Sequence, residues 1–115
     1  MAQALGKEVS DLRKIQKELA RIESMIQDYV LKKHENEMVR DELQIVTDGN
    51  VYKLIGPALI PQKLDEARGN VDKRLEFINK EITRLDKLKA DFLKKNEEKQ
   101  EKIMKMQKDL GPRGK

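Results

Sequence analysis

Cysteine, tryptophan and most other aromatic residues are absent or scarce in this chain of 115 residues. It has no Cys, no Trp, two Phe, two Tyr and one His. The lack of cysteine excludes disulfides, thiol catalysis and Cys/His zinc sites, and it fits a reducing compartment. Apolar residues make up only 37%, below the roughly 45–50% of a typical globular domain. We therefore do not expect a self-contained compact core.

Long hydrophobic runs and catalytic motifs are also lacking. No apolar run approaches the ~18 residues that a membrane span needs, and residues 1–5 do not begin a signal peptide. His34-Glu35 begins like a zinc-protease helix motif, but Met38 occupies the place of the second histidine. The glycines form no phosphate-binding loop. We expect no catalytic residue, no cofactor, no metal site and no membrane partner.

Charged residues are abundant, at 40% of the chain, and the net charge is +4. The basic excess lies in residues 86–115, where ten Lys or Arg face six Asp or Glu. Such a segment could meet nucleic acid or an acidic protein, but its lysines alternate with acidic residues, as on a solvated helix face. Because no nucleic-acid module or aromatic stacking platform accompanies it, nucleic acid is not an expected partner.

The first 43 residues carry apolar side chains at alternating steps of three and four. Eight of the twelve positions in this series are apolar, as in the seam of a coiled coil. The series comprises Leu5, Glu8, Leu12, Ile15, Leu19, Ile22, Ile26, Tyr29, Lys33, Asn36, Arg40 and Leu43. Asn36 is either a tolerated polar seam residue or one that sets the register of the helices. This pattern predicts a helix over residues 5–46.

A second series of the same kind follows between residues 64 and 110. Ten of its fourteen positions are apolar, and Gly111-Pro112 then predicts the end of a helix over 64–110, with a tail at 111–115. The series comprises Leu64, Arg68, Val71, Leu75, Ile78, Ile82, Leu85, Lys89, Phe92, Asn96, Lys99, Ile103, Met106 and Leu110. Two such seams joined by a short connection predict an antiparallel two-helix coiled coil.

The segment between the helices has a different character. Thr47-Asp48-Gly49-Asn50 is a turn cluster in which Gly49 can end the first helix. Two short β-prone runs then flank Gly56-Pro57, and Pro61 closes the second run, which predicts a β-hairpin over 51–61.

An isolated hairpin of this kind is marginally stable and leaves two unpaired edges. Its apolar side chains are too many to remain in water, so we expect other chains to complete the sheet. The predicted oligomerisation residues are Val51, Tyr52, Leu54, Ile55, Leu59 and Ile60.

The free ends of the two helices are the second candidate site. Counted by their seams, the first helix has about 39 residues (5–43) and the second about 47 (64–110). If the helices start level at the hairpin, the second then outruns the first by roughly eight residues, or ~12 Å. The apolar residues at these ends either finish the seam or offer adaptable surface to another protein, a role that methionine suits. These predicted tip residues are Leu5, Val9, Ile103, Met104, Met106 and Leu110.

The central segment resembles the β-type subunits of the prefoldin family. The resemblance rests on residues 50–62, NVYKLIGPALIPQ, followed by LDEAR at 64–68 and NVDKRL at 70–75. The helices match as heptads, so the resemblance covers about the whole chain as a single domain. Pro61 departs from the family pattern, in which a strand-forming residue or Lys is expected, and it predicts a shortened second strand.

The resemblance implies a mainly α fold whose hairpin joins an intersubunit β-barrel, in a hexamer of two α-type and four β-type subunits. It further implies an ATP-independent cytoplasmic co-chaperone. The helix tips would hold unfolded proteins such as actin and tubulin and deliver them to the group II chaperonin. The basic segment would steer docking to an acidic chaperonin surface.

A structural role is the alternative hypothesis. A homo-oligomeric coiled coil could serve as a tether in another complex. The hairpin distinguishes the two, because a pure tether has no need of a β segment that requires strands from other chains.

Overall fold

The computed structural model describes residues 2–47 and 50–110. Two long helices flank a two-stranded antiparallel sheet, in the order α1 (Ala2–Ile45), β1 (Asn50–Ile55), β2 (Ala58–Lys63) and α2 (Leu64–Leu110). The predicted mainly α fold with a central hairpin is confirmed. The expected ends at Gly49 and Gly111-Pro112, and the tail at 111–115, lie outside the described residues.

The chain divides into two compact units. The hairpin unit comprises residues 27–83, and the terminal unit comprises residues 2–26 with 84–110 among those that the structure describes. Each helix contributes residues to both units.

The two heptad series form the buried sides of the helices. Every one of the predicted seam positions is buried or half-buried, including the polar ones. In the hairpin unit, Tyr29 packs edge-on against Phe77, with ring centroids 6.5 Å apart. In the terminal unit, Glu23 pairs with Lys89 at 2.8 Å. Further along α1 in the hairpin unit, Leu43 contacts Arg68, and nearer the start of α1 in the terminal unit, Glu8 contacts Lys99. In each unit later residues of α1 thus meet earlier residues of α2, so the helical segments run antiparallel, as the heptads predict.

The core of the hairpin unit lies where the helices meet the sheet. Leu43, Ala67, Val71 and Leu75 form a buried cluster, and Val51 of β1 packs against it. Burying such side chains stabilises the fold by about 1.5–3 kcal/mol for each large aliphatic residue. This contact anchors one end of the hairpin on the helices.

The two helices are closer in length than the sequence predicts. α1 has 44 residues and α2 has 47, so the helices differ by three residues rather than about eight. The prediction was wrong because it counted only the seam of α1, from Leu5 to Leu43, whereas residues 2–4 and 44–45 are also helical. Residues 2–4 are Ala-Gln-Ala, which favour helix without belonging to the seam.

The hairpin turn consists of two residues, Gly56 and Pro57. Gly56 has a φ of +57°, and the proline ring holds the φ of Pro57 negative. A positive φ at the first central position followed by a negative one is the pattern of a type II′ turn, which matches the twist of the strands.

β2 does not stop at Pro61, contrary to the prediction. The strand runs to Lys63, and Pro61 pairs with Tyr52. Pairs in an antiparallel ladder alternate between hydrogen-bonded and non-hydrogen-bonded, and Ile55 and Ala58 close the turn as a hydrogen-bonded pair. The pair of Tyr52 and Pro61 is then a non-hydrogen-bonded one. At such a position the backbone N–H points away from the partner strand. The N–H that proline lacks would therefore not have bonded to β1, and the hydrogen bonds within the hairpin are unaffected.

Candidate functional site

The ladder sorts the hairpin side chains onto two faces. Residues directly opposite in an antiparallel pair share a face, and successive residues alternate. One face carries Tyr52, Leu54, Leu59 and Pro61, followed by Lys63 at the open end. We call the first four residues the apolar face. The opposite face is mixed and carries Val51, Lys53, Ile55, Ala58, Ile60 and Gln62.

The apolar face is open to solvent in this chain. Tyr52, Leu54 and Leu59 are 63%, 67% and 66% exposed. Ile55 and Ile60 on the mixed face are also exposed, whereas Val51 is half-buried against the helices. Five of the six predicted oligomerisation residues thus present apolar surface that this chain does not cover.

The six predicted tip residues all lie in the terminal unit, but they differ in accessibility. Met104 is 68% exposed, whereas Ile103 is 8% exposed and belongs to the helix interface. Ile103 therefore offers little surface to another protein in this structure. The other four, Leu5, Val9, Met106 and Leu110, are half-buried.

A charged cluster lies among these tip residues. Glu8 of α1 accepts hydrogen bonds from Lys99 and, at 2.9 Å, from Lys102 of α2, and Lys99 also lies 3.6 Å from Asp11. The side chain of Glu8 is 12% exposed. The hydrogen bonds from Lys99 and Lys102 lower the pKa of Glu8, and the hydrogen bond to Glu8 raises the pKa of Lys99. The polar seam positions Glu8 and Lys99 thus form a charged link between the helices.

Arg68, a second polar seam residue, holds the end of α1. Its guanidinium donates hydrogen bonds to the carbonyl oxygens of Leu43, at 2.8 and 3.2 Å, and Val46, at 2.9 Å. The last carbonyls of a helix lack intrahelical partners and carry partial negative charge. The last turn of α1 has no basic residue of its own, so α2 supplies the positive charge. In the heptad pattern Arg68 is only an interruption, and nothing in the local sequence reveals its partner.

The single histidine is a surface residue of α1. The ring of His34 lies exposed, 3.5 Å from Glu37 on the next turn of α1. Across residues 2–47 and 50–110, no three His, Cys, Asp or Glu side chains are grouped as a metal would require. Neither described helix has a stretch apolar enough to cross a membrane.

Comparisons with known proteins agree with this architecture. The family model described as "Prefoldin subunit" matches residues 7–110. The chain is 44% identical over 107 residues to prefoldin subunit 6 of Arabidopsis thaliana, covering 92% of this chain and 83% of that protein. It is 35% identical over 104 residues to prefoldin subunit 6 of Homo sapiens, covering 90% and 81%.

A solved structure shares the fold. The prefoldin beta subunit from Thermococcus strain KS-1 superposes with a TM-score of 0.83 at 19% identity, covering 90% of this chain and 91% of that one. At this identity the likeness concerns the fold alone.

Proposed function

The chain belongs to the prefoldin family, and on this premise we propose that it is a β-type subunit, of the subunit 6 kind, in a hetero-hexameric co-chaperone. With two α-type and three further β-type subunits, the complex captures unfolded proteins at the helix tips without ATP. It then delivers them to the group II chaperonin in the cytoplasm. The exposed apolar face of the hairpin carries the proposal, since it requires other chains to cover it.

Assembly follows from the hairpin. Covering a large apolar side chain contributes about 1.5–3 kcal/mol, so the apolar face supplies enough driving force to offset part of the entropy lost on association. In the proposed complex this face lies inside a β-barrel completed by strands of the other subunits. A barrel also removes the exposed strand edges.

A charge on the apolar face tests assembly. We expect Leu54→Glu to prevent hexamer formation when the six subunits are co-expressed and weighed by native mass spectrometry. Leu31→Glu is the matched control, because Leu31 is also exposed, at 60%, but lies on α1. Full assembly of the Leu54→Glu variant would contradict the proposal, and a stable homodimer that ignores α-type subunits would favour the tether.

Client capture is proposed for the tip residues. Met104 offers exposed, adaptable apolar surface, and the half-buried Leu5, Val9, Met106 and Leu110 lie in the same unit. Ile103 becomes accessible only where the helix ends separate. Each such contact is weak, and several subunits around one client add avidity through effective concentration. Weak single contacts allow release without nucleotide hydrolysis.

Two matched variants test capture. In the assembled complex, Met104→Glu is expected to weaken suppression of aggregation of denatured actin, measured by light scattering. Leu93→Glu is the control, since Leu93 is an exposed apolar residue of the same helix outside the predicted tip set. Removal of residues 103–115 is expected to have a larger effect. Unchanged holding after that truncation would exclude the tips as the client site.

Delivery is tested separately from capture. Denatured tubulin or actin held by the complex should pass to the group II chaperonin, and salt should slow that step if the basic segment at residues 86–115 steers docking. Holding by the complex alone should be the same with and without ATP. A requirement for ATP at the holding step would contradict the proposed mechanism.

A further inference from the structure

The two outer edges of the hairpin are not equivalent. In the ladder, the non-hydrogen-bonded pairs direct their backbone N–H and C=O groups away from the partner strand. These outward residues are Asn50, Tyr52 and Leu54 on β1, and Leu59, Pro61 and Lys63 on β2. Each edge therefore offers three residues for pairing with another chain.

Only β1 offers a complete set of donors. All three of its outward residues have a backbone N–H, whereas Pro61, the middle outward residue of β2, has none. The proline ring also occupies the space where an acceptor would approach. A strand added along β2 therefore meets an interruption at its centre, which is a common device that blocks edge pairing.

The side chains beside β1 define the chemistry of the strand that fits there. Tyr52 and Leu54 lie on the apolar face, so the neighbouring positions of the added strand must be apolar on that side. Lys53 points to the opposite face, where an acidic or polar cross-strand neighbour is favoured.

We propose that β1 is the principal docking edge of the hairpin and that it receives an antiparallel or parallel strand of another prefoldin subunit, whereas Pro61 makes the edge of β2 the weaker joint. This inference rests on the proposed assembly with other subunits. It adds that β1, rather than β2, is the edge at which another subunit pairs more strongly. The occupant is a strand that is apolar on the side of Tyr52 and Leu54 and that carries an acidic or polar residue beside Lys53 on the other side.

Hydrogen exchange resolved to single amides tests the proposal in the assembled complex against the free chain. The inward amides of Val51, Lys53 and Ile60 serve as internal controls. On assembly, the outward amides of Tyr52 and Leu54 should slow by at least about tenfold, and those of β2 should slow less. Equal or greater protection of the outward amides of β2 would overturn the proposal while leaving the proposed function intact. Failure of the wild-type chain to assemble would overturn both.

Proline variants give an independent test in co-expressed complexes. Tyr52→Pro removes the outward donor of β1 opposite Pro61, and Tyr52→Val loses the ring but keeps the N–H. We expect Tyr52→Pro to assemble at least about tenfold more weakly than Tyr52→Val. Pro61→Val restores the missing donor and should stay within about threefold of wild type. Equal assembly of the two Tyr52 variants, or tenfold tighter assembly of Pro61→Val, would overturn the proposal.

Discussion

At the scale of single residues, the polar interruptions of the heptads are the informative positions. Arg68 occupies a seam position, yet its side chain reaches the carbonyl oxygens of Leu43 and Val46. Glu8 and Lys99 occupy seam positions on different helices and bind each other. These residues replace an apolar contact with a hydrogen bond at a defined place, which limits the register in which the helices can pair within each unit.

Loss of the Arg68 guanidinium should destabilise the hairpin unit. Arg68→Met leaves the last carbonyls of α1 without these donors, and hydrogen bonds that involve a charged group contribute about 1.5–3 kcal/mol. We expect a loss of that order in urea unfolding followed by circular dichroism. Arg68→Lys keeps the charge without the planar fork and should recover part of the loss. Equal stability of Arg68→Met and wild type would contradict the capping role.

Two glycine substitutions distinguish the effect of backbone strain from the effect of steric room for a side chain. A Cβ at Gly56 or at Gly69 would meet nothing within 4 Å, but only Gly56 has a positive φ. Gly56→Ala should therefore destabilise the turn by about 1–2 kcal/mol. Gly69→Ala, within α2, should stabilise by up to about 1 kcal/mol. Thermal unfolding of the assembled complex measures both, and a neutral Gly56→Ala would contradict the type II′ turn.

At the scale of the helices, the charged cluster in the terminal unit makes their pairing depend on pH. Because the pKa of Glu8 is lowered in the folded chain, Glu8 stabilises the fold above the ordinary carboxyl pKa of 4.5. This contribution to the free energy of unfolding is lost as pH falls through the lowered pKa. Because the pKa of Lys99 is raised in the folded chain, Lys99 stabilises the fold below the ordinary lysine pKa of 10.5. This contribution is lost as pH rises through the raised pKa. The cluster is thus strongest between these two values.

Glu8→Gln should lower the thermal stability of the terminal unit in that window. The difference from wild type should shrink at acid pH, where the carboxylate of Glu8 is protonated, and in concentrated salt, which screens partly exposed pairs. Melting curves recorded from pH 2 to 9 measure the difference. Glu35→Gln is the control, because Glu35 lies on an exposed part of α1 outside the cluster. A constant difference at every pH would contradict the assignment.

At the scale of the whole molecule, the hairpin exposes large apolar side chains of the kind that a globular protein buries. The two helices bury their seams within each unit, whereas the apolar face of Tyr52, Leu54, Leu59 and Pro61 remains open. Large exposed apolar patches rimmed by polar residues mark interaction surfaces. The hairpin therefore carries apolar surface that the helices of this chain do not cover.

The open hairpin should be detectable with a dye that binds apolar surface. The free chain is expected to enhance the fluorescence of such a dye, and assembly with the other subunits should reduce the signal per chain. Leu54→Glu together with Leu59→Glu should reduce the signal of the free chain without changing its helix content, because neither residue packs in the helix cores. A signal unaffected by these substitutions would place the accessible apolar surface elsewhere.

Much of the fold was predictable because the signals are local and periodic. Every seam position expected from the heptads is buried or half-buried, and Gly56-Pro57 is the turn. Pro61 was misjudged because the cost of a proline in a strand depends on whether its position is hydrogen-bonded in the ladder. That property follows from the register of the hairpin. The start of α1 was misjudged because residues 2–4 are helical without contributing to the seam.

The order of apolar and polar residues along the chain was sufficient to specify two heptad helices and a β-hairpin between them. Periodicity and turn chemistry act over a few residues, so they can be recognised without coordinates. The partners of Arg68, 25 positions away at Leu43, and of Glu8, 91 positions away at Lys99, required the three-dimensional structure. Such contacts depend on how the helices pair in register, and the accessibility of each tip residue depends on the same pairing.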